Sequence, residues 1–336
     1  MFSHLIPDLQ RTQRRFEKAC ADNVLGIQGA QTYAHEWVKV MQHHFQQLGL
    51  ASTGWFIAAV GGLGRGEMSF VSDVDLIFVY SKRLPAHVHD VIQELVQAMW
   101  DGGFELGHIV SSQSGLKQLM KDDFSVCTTC LETRFIYGDH RFYSTWRTGS
   151  LAFHGNRQIK SFLELLTKGR MERCAYQHTS NYLLEPNLKE GLGGLRDLHA
   201  LRWCGVACDD NPHPRHFTDQ GVIDPTEYAW LEQAQDFLWR VRLQLHLISP
   251  RRQDQVVMQY QPEVASRLGF KDNDLGGRAV EGFMRSYYRH TARVRRVTDF
   301  VLEKLQMDFM PPRQRKRKQK VLPGPFILDG QHIRFY

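Results

Sequence analysis

Apolar positions recur with helical spacing through residues 8–48, at Phe16, Cys20 and Val24 and again at Trp37, Val40 and Met41, which predicts a helical lead-in. The pattern then changes. Trp55-Phe56-Ile57-Ala58-Ala59-Val60 is an unbroken apolar run ending at glycine, as expected of a buried strand that delivers its last residue to a tight turn. A second strand begins at Ser72-Asp73-Val74-Asp75-Leu76 and continues through Ile77-Phe78-Val79-Tyr80. Pro85 suits the first turn of a helix that runs to about Trp100, with Val88, Ile92, Leu95 and Met99 on one face and Gly102-Gly103 as its stop. Residues 104–110 read as a third strand, completing a small α/β module.

From Ser114 onward the pattern is helical to the end. Asp123 caps a helix that carries Val126, Cys130, Leu131 and Phe135 and closes at Gly138, and a long helical region follows around 156–183. Asp224, Pro225 and Glu227 form a complete helix start before a stripe of Leu231, Ala234, Leu238, Val241, Leu245 and Ile248. A last long helix holds Met284, Tyr288, Thr291, Val294, Val301 and Leu305, with Arg285, Arg289, Arg293 and Arg296 on another face. Those arginines read as a solvated face, or as a cleft wall facing phosphate or an acidic partner. The expected fold class is therefore α+β: a small mixed sheet followed by a mostly α-helical domain. The boundaries are a lead-in over 1–50, an α/β domain over 51–147, a helical domain over 148–310 and a basic linker over 311–336.

Composition narrows the function classes. At 336 residues, 42% hydrophobic and 23% charged, the chain reads as a soluble globular protein of one large or two ordinary domains. No apolar stretch approaches the roughly 20 residues that span a bilayer. The N-terminus lacks the basic start and long apolar core of a signal peptide, so a cytoplasmic protein without membrane partners is expected. The net charge of +6 suggests nucleic acid until it is located. Arg313, Arg315, Lys316, Arg317, Lys318 and Lys320 cluster after Pro311-Pro312, and setting them aside leaves 36 basic residues against 36 acidic ones. A solvated linker explains that run better than nucleic-acid binding does. The 6 cysteines fit reduced thiols, and Cys127-x-x-Cys130 has no second pair with zinc spacing. His89-Asp90 is the doublet of metal phosphohydrolases, but it falls on a predicted helix start without further ligands in register.

Chemistry enters between the first two strands. Asp73 and Asp75 are two positions apart on a strand and share a face, so their carboxylates repel one another unless a cation lies between them. Magnesium, or manganese in its place, takes oxygen ligands and shares them with substrate phosphates. Gly61-Gly62-Leu63-Gly64-Arg65-Gly66-Glu67 stands just upstream, where residues without Cβ let backbone N–H groups approach phosphate oxygens. Gly61, Gly62, Gly64, Arg65 and Ser72 are accordingly candidates for nucleotide binding, with Asp73 and Asp75 as metal ligands. Arg65 is either a phosphate clamp or one half of a local ion pair with Glu67. Glycine turn and Asp-x-Asp strand together resemble the signature of the polymerase-beta-like nucleotidyltransferases. Such a module needs a third carboxylate, and Glu105 is the candidate on the third strand, its alternative being an exposed edge-strand glutamate. A second glycine-rich segment, Lys189-Glu190-Gly191-Leu192-Gly193-Gly194-Leu195-Arg196, precedes a predicted helix. Exposed N–H groups there, with Lys189 and Arg196, would hold an anion; a structural turn is the other reading.

Three separated stretches resemble one family, the bifunctional uridylyltransferase/uridylyl-removing enzymes that act on the nitrogen-regulatory PII protein. The first runs from Gly61 through Leu76. The second is Trp100-Asp101-Gly102-Gly103-Phe104-Glu105-Leu106-Gly107-His108 with Asp123, Leu131-Glu132-Thr133-Arg134 and Gly138-Asp139. The third is Glu185-Pro186-Asn187-Leu188-Lys189-Glu190-Gly191-Leu192-Gly193-Gly194-Leu195-Arg196-Asp197, supported by Phe237-Leu238-Trp239-Arg240-Val241-Arg242 and Met284-Arg285-Ser286-Tyr287-Tyr288. The resemblance implies transfer of UMP from UTP to a tyrosine hydroxyl of a PII-type signalling protein. Departures from the family pattern keep other readings open. Gly61-Gly62 replaces a common Gly-Ser and matches relatives that adenylylate glutamine synthetase, so ATP is the competing nucleotide. Leu192 stands where proline is common, and Ser111 replaces an expected basic residue. The family continues into a metal-dependent hydrolase domain and two sensor domains; Pro325-Phe326-Ile327-Leu328-Asp329-Gly330 resembles the approach to the hydrolase. Either a truncated chain or a short relative is expected, without uridylyl-removing activity. A non-catalytic nucleotide-sensing module and, on the basic run, an RNA-directed nucleotidyltransferase are the rival classes.

Overall fold

The computed structural model describes residues 2–150, 153, 155–176, 184–249, 252–272, 277–309, 319–322, 326–329 and 332–335. Helices α1 (Leu5–Asp22) and α2 (Ile27–Gln47) form the expected lead-in. They bury Leu9, Phe16, Cys20, Tyr33, Trp37, Val38 and Met41, whereas Val24 lies between them and is exposed. Strand β1 (Trp55–Val60) is buried along its whole length and leads into a one-turn helix, α3 (Gly61–Arg65), rather than a plain turn. Then come β2 (Val74–Tyr80), α4 (Ala86–Asp101) and β3 (Leu106–Ser112), the last starting two residues beyond the expected position.

Helices α5 (Gln113–Asp122) and α6 (Phe124–Leu131) follow, and Asp123 does cap α6, accepting from Ser125 N and Val126 N. The helix expected to continue to Gly138 ends at Leu131. Residues Arg134–Gly138 instead form β4, antiparallel to β1. The physical reason is the open edge of β1, whose backbone N–H and C=O groups are buried and need partners. The sheet order is β3-β2-β1-β4, with β1 antiparallel to both neighbours and β2 parallel to β3.

The helical part contains α7 (His140–Ser150), α8 (Asn156–Tyr176), α9 (Leu195–Asp209), α10 (Arg215–Asp219), α11 (Pro225–Ile248), α12 (Gln261–Arg267) and α13 (Ala279–Asp308). Helix α7 crosses the expected boundary at 147, packing Trp146 against Phe56 of β1 with ring centroids 5.3 Å apart. The start of α11 is a complete capping box: the Asp224 carboxylate accepts from Glu227 N at 2.9 Å, and Glu227 accepts from Asp224 N at 3.3 Å. The arginine face of α13 does not reach the cleft; Arg293 and Arg296 lie over Trp230, and Arg296 pairs with Glu227 at 3.2 Å. The two parts share one continuous core, and α11 ties them together through Gln244 to the Cys20 carbonyl at 3.1 Å and Asp236 to the Ile27 N–H at 3.2 Å.

Near the C-terminus, β5 (Gln319–Leu322), β6 (Phe326–Asp329) and β7 (His332–Phe335) form a three-stranded antiparallel sheet where a linker was expected. Most of the basic run, from Arg313 to Lys318, lies outside the described residues, as do 177–183 of the long helical region. Cys127 and Cys130 are buried thiols, pushed up to about 11 and about 12 by burial, so they behave as core residues. No helix among the described residues is long and apolar enough to cross a membrane.

Candidate active site

Where the sheet meets the helical part lies a cleft of about 350 Å³. Asp73 stands just before β2 and Asp75 is that strand's second residue, and both line the cleft. In register, Asp75 pairs with Val60 at the end of β1 and with Gly107 on β3. Its carboxylate occupies a slot with glycine on each side. A Cβ on Gly61 would stand 2.7 Å from one oxygen, and a Cβ on Gly107 2.4 Å from the other. Gly61 also has a φ of 58°, in the left-handed region that other residues resist. Burial, with the neighbouring Asp73 charge adding to it, pushes the Asp75 carboxyl up to about 6 against the opposing pull of Lys189, Arg252 and Arg65.

Asp73 is 44% exposed and pairs with Arg252 at 3.0 Å. Two mutually repelling carboxylates, one of them desolvated, make a donor set that a hard cation relieves, so these residues fit magnesium. Among the described residues no group of three or more His, Cys, Asp or Glu gathers to hold an ion. Magnesium ordinarily takes one or two carboxylates and fills its shell with phosphate oxygens and water. Glu105 is not brought into this set. It precedes β3, its side chain is 82% exposed and opens on a separate groove, and Arg252 reaches it only at 4.0 Å.

Arg65 lines the cleft, but its buried guanidinium is bound to two carboxylates, Glu67 at 3.0 Å and Glu132. Of its two readings, the ion pair is the one its contacts describe. Glu67 also accepts from Arg202 at 3.1 Å and Gln235 at 2.9 Å, joining the glycine turn to α9 and α11. Burial opposes ionisation of Glu67, but His199, Arg65 and Arg202 outweigh it and hold the carboxyl well below the usual range. Gly64 faces backbone: its Cβ would stand 1.8 Å from the Glu132 carbonyl oxygen. Gly62 lines the cleft, and Ser72, which also does, accepts from Ser69 N at 3.0 Å and so helps shape the turn.

The second glycine segment is arranged differently. Leu195 N donates to the Leu188 carbonyl and Arg196 N to the Lys189 carbonyl, both at 2.9 Å, so the start of α9 does not offer those N–H groups to an anion. Gly193 donates to the buried Asp197 carboxylate at 2.9 Å, and Asp197 pairs with Arg170 at 2.8 Å. The Arg196 guanidinium is held by Glu190 at 2.8 Å and lies 5.7 Å from the Trp203 ring centre. Lys189 stands apart. It is half-buried in the cleft wall with no carboxylate at ion-pair distance among the described residues, and burial, with Arg196 and Arg242 nearby, lowers its ammonium.

Residues 161–302 match the family model described as GlnD PII-uridylyltransferase. The chain is 35% identical over 287 residues to the bifunctional uridylyltransferase/uridylyl-removing enzyme of Novosphingobium aromaticivorans, an alignment covering 83% of this chain and 31% of the relative. It is 34% identical over 288 residues to that of Ruegeria pomeroyi, covering 82% and 31%, and 34% over 291 residues to that of Phenylobacterium zucineum, covering 82% and 30%. This chain is a relative of the bifunctional uridylyltransferase/uridylyl-removing enzymes. It spans about a third of the length of those relatives. The family-model match includes Lys189, Arg196 and Arg252 and leaves out the Asp73–Asp75 pair.

The cleft thus unites Gly61, Gly62, Arg65, Ser72, Asp73, Asp75, Lys189 and Arg196, and leaves Gly64 and Glu105 outside. Sequence reasoning missed three neighbours. An isolated glycine inside a strand signals a close approach, which marks Gly107. Glu132 was visible only as part of a longer matching stretch. Arg252 had no local signal at all, because its partner Asp73 is far away in the chain.

Proposed function

We propose that this chain is a nucleotidyltransferase moving a nucleoside monophosphate, UMP from UTP, to a protein hydroxyl, that of a tyrosine on a PII-type nitrogen-regulatory protein. The observation that carries the reading is the Asp73–Asp75 pair beside Gly61-Gly62 in a cleft that Lys189 also lines. A nucleoside triphosphate needs a pocket of a few hundred Å³ with a few convergent polar groups, and this cleft has both. When bound between Asp73 and Asp75, magnesium, or manganese in its place, supplies charge neutralisation at the phosphate oxygens. Lys189 meets the phosphates from the helical side. Arg252, paired with Asp73 at 3.0 Å, is a second cation lining the cleft that would face the phosphates. Arg65, with Glu67 and Glu132, holds the turn that sets Gly61 against Asp75.

The acceptor hydroxyl oxygen attacks the α-phosphorus in line. A new O–P bond forms as the bond from the α-phosphorus to the pyrophosphate oxygen breaks, and no covalent enzyme intermediate is needed. The protein contributes positioning and charge. The test incubates the chain with each labelled triphosphate and magnesium, with and without PII protein, and weighs the products intact. A uridylyl mass increment on PII with released pyrophosphate is expected. Preferential labelling from ATP would move the reading to protein adenylylation, for which Gly61-Gly62 is the supporting feature. Tight nucleotide binding with no pyrophosphate from any acceptor would leave a nucleotide-sensing module.

A further inference from the structure

We propose that the acceptor protein reaches the site through an open groove beside Trp100, on the side of Asp75 away from the nucleotide cleft. This deepens the transferase reading and rests on it. The groove measures about 550 Å³ and is lined by Trp100, Gly103, Phe104, Glu105, Leu106 and Gly107, together with Asp73 and Asp75. Among the described residues, those two aspartates are what it shares with the cleft. The two hollows meet at the Asp73–Asp75 pair.

Their chemistry differs. The cleft is lined by six cations, Arg65, Arg173, Lys189, Arg196, Arg242 and Arg252, alongside Glu67, Glu132 and Glu190, while among the described residues the groove is lined by no basic side chain and by one further carboxylate, Glu105, which Arg252 approaches at 4.0 Å. A triphosphate is drawn to the first and repelled by the second. In-line displacement requires the attacking oxygen to enter opposite the departing pyrophosphate. With the phosphates among the cations, the nucleophile must arrive from the cation-poor side.

The groove suits a tyrosine presented on a surface loop. Trp100, at the end of α4, is 53% exposed, with its ring 6.5 Å from that of His108. An exposed tryptophan beside a reacting centre offers a large, stiff apolar face of the kind that anchors partner proteins. Phe104 and Leu106 make an apolar floor for a phenol ring, and Phe104 is fixed against Trp37 with centroids 5.0 Å apart. The phenolic oxygen bonds to the α-phosphorus, pyrophosphate departs with the electron pair of the broken P–O bond, and the phenolic proton passes to Glu105. The exposure of that carboxylate, which makes it a poor third metal ligand, leaves it open to an incoming hydroxyl.

The test uses the full chain, with uridylyl transfer to PII-type protein as one readout and calorimetric affinity for a non-hydrolysable UTP analogue with magnesium as the other. Trp100→Ala should raise the acceptor KM about tenfold while the analogue affinity stays within about twofold. Glu105→Gln should lower kcat and leave the acceptor KM in place. Met171→Ala, removing an exposed apolar residue that lines neither hollow, should change neither readout. Normal labelling with an unchanged acceptor KM in Trp100→Ala overturns the groove alone, as does a loss of analogue affinity in that variant. Failure of the unsubstituted chain to label any PII-type protein sinks the proposed activity, and the groove with it.

Discussion

Two glycine-rich segments, 61–66 and 191–194, read alike in sequence, and the fold uses them in opposite ways. The first opens on the cleft, where missing Cβ atoms at Gly61 and Gly107 make room for the Asp75 carboxylate. The second is packed shut: a Cβ on Gly193 would stand 1.9 Å from the Thr291 carbonyl oxygen on α13. A glycine marks a close approach without saying what approaches. At Gly61 it is the carboxylate of the site, and at Gly193 it is another helix's backbone.

Substitution separates the two. Asp73→Asn and Asp75→Asn, beside the first segment, should each reduce transfer by about 10²- to 10³-fold, read by labelled nucleotide release. Both should fold, because each substitution removes charge repulsion rather than packing, and circular dichroism with thermal melts checks that. Near-normal turnover in both variants would dismiss the metal site. Gly61→Ala, forced against the Asp75 side chain and strained at a φ of 58°, should cost about tenfold to 10²-fold in turnover with a smaller loss of stability, about 1 kcal/mol. Gly193→Ala should do the reverse, lowering stability by about 2–3 kcal/mol in urea unfolding, because both its φ of 71° and the Thr291 backbone oppose a side chain. Equal effects of both alanines on both measurements would erase the distinction. Lys189→Met, at the edge of the second segment, should weaken triphosphate binding about tenfold in a calorimetric titration and leave the melting temperature nearly unchanged.

The smallest effect concerns the seam between the two parts. His199 sits at 3.7 Å from Glu67, and His246 accepts from or donates to Ser69 at 2.7 Å. Burial lowers both imidazoles below their ordinary 6.5, so each stays neutral in the fold while the unfolded chain takes up a proton below that value. Stability should therefore fall as pH drops from about 7.5 to about 5.5, a loss that proton uptake by the raised Asp75 carboxyl partly offsets, with the depressed Glu67 adding further loss only below its own ordinary value of 4.5. Melting curves across that range check the sign.

The strand that carries Asp75 was legible because its signal is local. Alternation places Asp73 and Asp75 together whatever surrounds them, and the apolar run from Ile77 to Val79 shows that the strand is buried. The capping box at Asp224 was legible for the same reason. Strand β4 was not. Phe135 continues the spacing of Val126 and Cys130, and only Ile136 of the strand is fully buried, so nothing local outweighs the helical pattern. Arg65 was ambiguous because its second partner, Glu132, lies 67 residues further along the chain.

From its order of residues alone, this chain determined the elements whose signals lie within a few positions: an apolar strand, a glycine turn, a carboxylate pair and capped helices. Tertiary structure decided which glycines line the cleft, which cations are already paired, and that Arg252 pairs with Asp73. Those outcomes depend on groups brought together from distant parts of the chain, and the burial and charge they create do not exist until the core closes.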